Sequence, residues 1–187
     1  MSQLSAQSIR TLCLRKRPMI TPFSDLKAVV NGKSWGLSAA SYDIRIAEEV
    51  TLGPDPGKVL AMMMQAEPNP SLALCQFSEW ASYPPPPSVA ITHSIEDFVM
   101  PRDVVGYVVD KSTYARLHVS AFNTLFDPGF EGNATLELVN LGYDTIHIAA
   151  GDPICQIAFH WLDRPTDRPY AGKYQFQPKR PVAAINE

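Results

Sequence analysis

Turn-forming residues interrupt this sequence so often that long regular elements are excluded. There are 17 prolines among 187 residues, and pairs that join glycine to proline or to a polar residue separate most apolar segments. Proline fixes φ and lacks a backbone donor, so helices and central strands end near it. Between the turns lie short segments that alternate polar and apolar residues or are rich in valine, isoleucine and threonine, as strands are. We therefore predict a mainly β sandwich or barrel, with strands over Ser41–Ile46, Val59–Met64, Ser88–Ile95, Phe98–Pro101, Val104–Val109, Asn133–Leu141, Thr145–Ile148 and Ile154–Trp161.

The sequence predicts only two helical segments. The first follows a Ser5 N-cap and ends near Arg15, because apolar residues recur there at helical spacing. The second is a single helical region at Ser112–Leu117. The proline run in Tyr83–Ser88 is expected to form a stiff polyproline-like connector. The length suits one domain with its own core, so residues 1–187 are predicted to form a single domain.

Charge and cysteine content exclude several classes of function. The net charge is −3, whereas proteins that bind nucleic acid through bulk charge carry a basic excess, so no nucleic-acid partner is expected. The three cysteines lie far apart and include no C-x-x-C pair, which argues against a disulfide framework and against a cysteine-rich zinc site.

No apolar run approaches the about 18 residues of a membrane span. The basic N-terminus lacks the apolar core of a signal peptide, so we expect a cytoplasmic protein with no membrane contact.

One carboxylate lies in the middle of a predicted strand. Alternation over Asn133–Leu141 points Thr135, Glu137 and Val139 to one face of the strand. On that face Glu137 is either exposed to solvent or held in a cleft. Partial burial in a cleft would raise its pKa and make it a candidate general base.

Two further segments carry polar groups for which a structural and a functional role both stay open. Ser112 and Arg116 share one face if their segment is helical, and with the helix N-terminus they would form an anion site; otherwise they belong to a surface turn. Asp127 lies in an Asp-Pro-Gly turn and could be a turn residue alone.

The C-terminal tail is polar and is flanked by prolines. Such a tail is either disordered or folds over a ligand. Its candidate binding side chains are Tyr170, Lys173, Tyr174 and Gln177.

Several motifs resemble, in order and spacing, those of the dCTP deaminase family in the trimeric dUTPase-like superfamily. After Gly106 come Lys-Ser-x-x-Ala-Arg-Leu from Lys111, Asp-Pro-Gly-Phe-x-Gly from Asp127, Thr-Leu-Glu-Leu-x-Asn from Thr135, and Gly-Asp-Pro-Ile-Cys-Gln-Ile-x-Phe from Gly151. The N-terminal helix, the segment Ser-Tyr-Asp-Ile-Arg-Ile and the tail are also similar to that family, whereas Ala47–Pro87 has no match.

The resemblance implies a fold and an assembly. The fold is a distorted β-barrel or jelly-roll of the dUTPase-like type, and residues from about 165 to 187 close over the site. Three identical subunits form the active unit, with the sites at the subunit interfaces. The substrate is a deoxycytidine nucleotide, accompanied by Mg²⁺ that is held mainly by the triphosphate. No zinc is expected, because the H-x-E and P-C-x-x-C signature of zinc deaminases is absent.

The resemblance also implies roles for individual residues. Glu137 is the general base for the water that attacks C4 of cytosine, while Ser112 and Arg116 hold that water, Glu137 and the developing charge. Lys111 replaces an arginine and binds phosphate, and Asp127 contacts the 3′-hydroxyl. Further substrate-binding residues are expected in two places, the segment that contacts the base and the tail that closes over sugar and phosphates: Ala121, Asn123, Tyr170, Lys173, Tyr174 and Gln177.

One departure from the family pattern keeps alternatives open. The stretch from Arg116 to Asp127 is about two residues shorter than the family pattern, so the pocket could accept a modified cytosine or another phosphate state. A bifunctional deaminase and dUTPase, or a dUTPase releasing pyrophosphate, is a second class, because related dUTPases have an acid at the position of Asp127. A non-catalytic nucleotide-binding regulator is a third class.

Overall fold

Antiparallel strands are the main regular elements of the computed structural model, which describes residues 2–54, 88–122 and 124–186. The helices are α1 (Ala6–Cys13) and α2 (Ser112–Ala115). The strands, in chain order, are β1 (Ser2–Gln3), β2 (Ile20–Thr21), β3 (Ala28–Val30), β4 (Lys33–Trp35), β5 (Tyr42–Arg45), β6 (Val50–Leu52), β7 (Val89–Val99), β8 (Val104–Asp110), β9 (Val119–Ala121), β10 (Leu125–Phe126), β11 (Glu131–Asn140), β12 (Ile146–Ile148) and β13 (Pro153–Trp161).

Two larger sheets and two strand pairs contain all of these strands. One sheet has the order β1-β13-β8-β10, with β5 also paired to β13, and the other has the order β2-β7-β11-β9. The strand pairs are β3 with β4 and β6 with β12. Within the described residues the sheets stay open rather than closing into a complete barrel. The mainly β class predicted from the turn spacing is confirmed.

One hydrophobic core joins both large sheets to the N-terminal helix. Ile9 and Leu12 of α1 are buried in the same cluster as Phe98 of β7 and Phe159 of β13. The even-numbered residues of β11 from 134 to 138 point into this core, and the residues between them lie half-buried on the opposite face. The period-2 alternation in the sequence thus assigned the two faces of β11 correctly.

Most predicted elements are present with small shifts at their ends. Ser5 caps α1 through a contact of 3.5 Å from the Ser8 amide to its hydroxyl, as predicted. The prediction was wrong to separate Ser88–Ile95 from Phe98–Pro101, because β7 runs without a break from Val89 to Val99. Of the two polar residues between the segments, the buried Glu96 pairs with Arg45, and Asp97 pairs with Lys179. The predicted strand Val59–Met64 and the connector Tyr83–Ser88, except for its last residue, lie outside the described residues.

Candidate active site

The strand pairing of β11 determines what surrounds Glu137. Ile91 of β7 lies directly opposite Glu137 in the antiparallel register. On the other side, the amide of Phe122 donates to the Glu137 carbonyl at 2.9 Å. The Glu137 side chain is half-buried on the face of the sheet that points away from the core. Of the two alternatives left open by the sequence, the structure shows a carboxylate held in a cleft.

A cavity of about 330 Å³ forms beside Glu137. Four other residues singled out in the sequence line it together with Glu137: Asp127, Tyr170, Tyr174 and Gln177. The remaining wall is largely apolar and is formed by Ile91, Thr124, Leu125, Phe126, Phe130, Ala134, Thr135, Val182 and Ala184. The fold thus brings together groups that lie up to 50 positions apart in the sequence.

Burial changes the acidity of the carboxylate in this cavity. Desolvation raises the pKa of Glu137 above its ordinary value, and the hydrogen bond from its own backbone amide only partly opposes this. A carboxylate with a raised pKa holds a proton more strongly than an exposed one and is the better general base near neutral pH. Glu137 is therefore a candidate general base.

The C-terminal tail runs along the first half of β11 and forms one side of the cavity. The amide of Asn133 donates to the Gln177 carbonyl at 3.0 Å, and the Thr135 hydroxyl donates to Oε1 of Gln177 at 3.1 Å. Gly132 makes this approach possible, since a Cβ there would lie 2.5 Å from the backbone nitrogen of Gln177. The polar tail is thus bonded to the strand that carries the candidate base.

Lys173 is held away from the cavity wall. Its Nζ donates to the carbonyl of Ile185 and lies 5.6 Å from the ring centroid of Tyr174. Tyr174, the next residue in the chain, lines the cavity, whereas Lys173 does not.

The residues of α2 lie apart from this cavity. Ser112 and Arg116 are exposed, and neither lines the cavity that contains Glu137. Lys111, the N-cap position of α2, is only 6% exposed, and its Nζ donates to Oδ1 of Asp43 at 3.0 Å. Within one subunit, Ser112 and Arg116 are therefore exposed outside the cavity of Glu137, and Lys111 is buried.

The segment predicted to contact the base begins at β9. Ala121 is buried beside Leu138 of β11, and its amide donates to Oδ1 of Asp110 at 2.9 Å. Asn123 lies outside the described residues. The predicted contact of Ala121 with a base therefore stays a prediction.

Sequence patterns missed the apolar wall of the site. Ile91 reaches the cavity because of the register between β7 and β11, and Val182 because the tail folds back. Both features depend on residues far apart in the chain, so no local signal marked them. The register could have been inferred only from an independent indication that these two strands pair.

A second cavity of about 470 Å³ adjoins the first. Asp127, Leu125 and Tyr170 line both cavities, and Thr166 and Arg168 belong only to the second. Asp127 therefore stands where the two cavities meet.

Among the described residues, no group of three or more histidine, cysteine, aspartate or glutamate side chains could hold a metal ion. No described helix has the length and apolar character needed to cross a membrane.

Comparison with known proteins identifies the family. A model of the "dCTP deaminase-like" family matches residues 3–162. The dCTP deaminase of Campylobacter hominis is 36% identical over 165 residues, which cover 87% of this chain and 85% of that protein. The dCTP deaminase of Gemmatimonas aurantiaca is 34% identical over 166 residues, which cover 87% of this chain and 89% of that protein.

A solved structure supports the fold. The crystal structure of 2′-deoxycytidine 5′-triphosphate deaminase from Agrobacterium tumefaciens aligns with a TM-score of 0.52 at 16% identity, covering 86% of this chain and 48% of that chain. This likeness bears on the fold alone and agrees with the predicted class. The matches in sequence, which span most of both partners, establish that this chain belongs to the dCTP deaminase-like family.

Proposed function

We propose that this chain is an enzyme that converts dCTP and water to dUTP and ammonia, with Glu137 as the general base. The observation that carries the proposal is the half-buried carboxylate of Glu137, whose pKa is raised, at the wall of a cavity of nucleotide-binding size. Relatives that align with this chain over most of both sequences are dCTP deaminases.

The reaction needs one base that works twice. Glu137 accepts a proton from water as the oxygen bonds to C4 of cytosine, which gives a tetrahedral intermediate. The carboxylic acid gives this proton to N3. Glu137 then accepts the proton of the C4 hydroxyl and passes it to the amino group, so that C4 becomes a carbonyl, the bond from C4 to the amino nitrogen breaks, and ammonia departs. No zinc-bound hydroxide is required in this scheme, because the carboxylate activates the water directly. Mg²⁺ enters with the triphosphate as part of the substrate.

The other candidate residues divide between binding and charge stabilisation. Asp127, Tyr170, Tyr174 and Gln177 bind the sugar and phosphates from the wall shared with Glu137. The exposed Lys173 is proposed as a phosphate ligand, and it must then leave the carbonyl of Ile185. Lys111 is proposed as a phosphate ligand as well, but it must then leave the carboxylate of Asp43 that binds it in this structure.

Ser112 and Arg116 complete the site from a neighbouring subunit. They hold the water and the developing charge in this proposal, yet in one subunit they lie outside the cavity of Glu137. A homotrimer with sites at its interfaces brings the two surfaces together. Large apolar side chains exposed near α2 and β9 are consistent with subunit contacts there: Val109, Leu117 and Phe122.

Product analysis tests the reaction. The protein is incubated with dCTP, dCMP, dUTP and 5-methyl-dCTP in the presence of Mg²⁺, and ammonia and pyrophosphate are both measured. We expect ammonia and dUTP from dCTP, with no pyrophosphate. Ammonia released fastest from 5-methyl-dCTP or from dCMP would instead identify a modified base or another phosphate state. Absence of ammonia and of pyrophosphate with every nucleotide would contradict catalysis and favour a binding role.

Release of pyrophosphate is a second candidate activity. The observation that favours it is the position of Asp127 between the two cavities, where a carboxylate could activate water toward a phosphate. Pyrophosphate from dCTP together with ammonia would show a bifunctional enzyme. Pyrophosphate from dUTP alone would show a dUTPase.

The acidity of Glu137 predicts the pH dependence of the rate. The base must be ionised, so kcat/KM should fall about tenfold per pH unit as the pH drops below the pKa of Glu137. Because burial raises that pKa, the fall should begin above 4.5, the ordinary value for a glutamate. Initial rates measured from pH 4 to 9 on protein shown to remain folded check this. A rate that stays constant down to pH 4.5 would contradict the role of Glu137.

A further inference from the structure

Helix α2 is too short to hold its own shape. It contains four residues, Ser112–Ala115, and its N-cap residue Lys111 makes no capping hydrogen bond with its side chain. Isolated helices shorter than about 12 residues are marginal in water, so a single helical turn depends on tertiary contacts. The orientation of Ser112 and Arg116 therefore depends on whatever anchors the inner side of α2.

Two buried carboxylates anchor that inner side. Asp43 of β5 is fully buried, and it binds Lys111 and also Lys27, next to the β3–β4 hairpin. Asp152, in the turn before β13, is 1% exposed and accepts a hydrogen bond of 2.6 Å from the Tyr114 hydroxyl. Lys111, which is bonded to Asp43, precedes Ser112 by one position, and Tyr114, which is bonded to Asp152, precedes Arg116 by two.

Asp152 has the more complete set of partners. Besides the Tyr114 hydroxyl, it accepts from Nδ2 of Asn31 at 3.0 Å, Nζ of Lys33 at 3.0 Å and the Ala149 amide at 3.2 Å. Burial alone would raise its pKa, but the bonds from Tyr114, Asn31 and Lys33 outweigh burial and hold the pKa below the ordinary value. The carboxylate is therefore ionised at neutral pH, and it connects the β3–β4 hairpin to α2.

We propose that Tyr114 and Asp152 are positioning residues, which fix α2 so that Ser112 and Arg116 are held in the geometry that the deamination needs. Tyr114 is buried and does not line the cavity of Glu137, so it acts through its neighbours on α2 rather than on the substrate. A single hydrogen bond is a strong constraint here, because the backbone bonds of this turn are local and Tyr114 and Lys111 tie it to carboxylates elsewhere in the fold. This inference rests on the proposed function, because it names the residues that hold Ser112 and Arg116 in place for the deamination.

Replacement of Tyr114 with phenylalanine tests the proposal. Tyr114→Phe removes one hydroxyl and leaves the ring in place, and we expect kcat for dCTP to fall about 10- to 100-fold, since displacement by about 1 Å can cost that much. KM should change less than about threefold, because the substrate-binding wall is not altered. Unchanged kcat in a folded Tyr114→Phe protein would overturn the proposal.

Tyr42→Phe is the matched control. Tyr42 is also buried in the core, and its hydroxyl accepts from the Ser24 amide at 2.9 Å, away from α2. Both variants lose a buried hydroxyl and should lower the unfolding temperature, but only Tyr114→Phe should lower kcat. An equal loss of kcat in Tyr42→Phe would show a general effect of destabilisation and would overturn the positioning role.

A double-mutant cycle separates positioning from stability. In a background that carries both Ser112→Ala and Arg116→Ala the groups to be positioned are already missing, so adding Tyr114→Phe should reduce kcat less than about twofold further. The same full loss in both backgrounds would overturn the proposal. Glu137→Gln distinguishes the two levels: activity retained in that variant overturns the proposed function and this inference together. If Glu137→Gln is inactive and Tyr114→Phe is kinetically silent, only the positioning role fails.

Discussion

Replacement of Glu137 with glutamine is expected to lower kcat for dCTP deamination by about 10²–10⁴-fold, the usual contribution of a positioned general base. Glutamine has nearly the same shape and keeps the contacts of β11, but it cannot accept a proton from water at neutral pH. The measurement is ammonia release at saturating dCTP, together with binding of dCTP to the variant. Binding should persist, because the residues that line the rest of the cavity are unchanged.

Glu131→Gln is the control for this prediction. Glu131 lies on the same strand and is paired with the exposed Arg17, but it does not line the cavity. Its replacement should leave kcat within about twofold of the original value, since exposed ion pairs contribute little. Equal losses in Glu131→Gln and Glu137→Gln would mean that the strand, rather than the base, had been damaged.

Stability provides a further check with a definite sign. The folded-state pKa of Glu137 is raised, so its contribution to stability is present below the unfolded-state pKa and is lost as pH rises through the folded-state value. At neutral pH the ionised side chain therefore lowers the free energy of unfolding. Glu137→Gln should unfold at the same temperature as the original protein or higher at pH 7. A lower unfolding temperature at pH 7, absent at pH 4, would contradict burial as the cause of the shift.

Mixing two inactive variants is expected to restore activity. If each site takes Glu137 from one subunit and Arg116 from its neighbour, a hybrid of Glu137→Gln and Arg116→Ala chains contains one site with both residues intact. Hybrid trimers isolated through two different tags should then show about one third of the original kcat per trimer, because head-to-tail interfaces in a ring pair each subunit with one successor. The parent variants should each be at least about 100-fold less active.

The control hybrid pairs Glu137→Gln with a chain that carries both Glu137→Gln and Arg116→Ala. It assembles in the same way but has no intact Glu137, so it should remain inactive. If the first hybrid is as inactive as its parents although trimers form, the two residues act within one subunit. Arg116, which lies outside the cavity of Glu137 in the single chain, would then have to move toward it on substrate binding. Failure to form any trimer would contradict the interface site directly.

Local patterns in the sequence determined the fold class, the two faces of β11 and the start of α1. The alternation from Asn133 to Leu141 correctly separated the core face of β11 from the face of Glu137, because side chains on a strand must alternate. Turn residues predicted the mainly β class, and the Ser5 cap predicted the start of α1. The order of the motifs was sufficient to indicate the family.

Tertiary structure alone decided which of these groups meet. Asp127, Tyr170 and Gln177 line one cavity with Glu137 because the tail bonds to β11, and the register with β7 puts Ile91 beside the base. A contact with β5 buries Lys111 against Asp43, although the resemblance to the family implied a phosphate ligand there. A sequence specifies such contacts only through the whole fold, since pairing register and burial depend on residues far apart in the chain. That is why Lys111–Glu137 could be recognised as a functional segment from the sequence, while the separation of its two ends onto different surfaces could not.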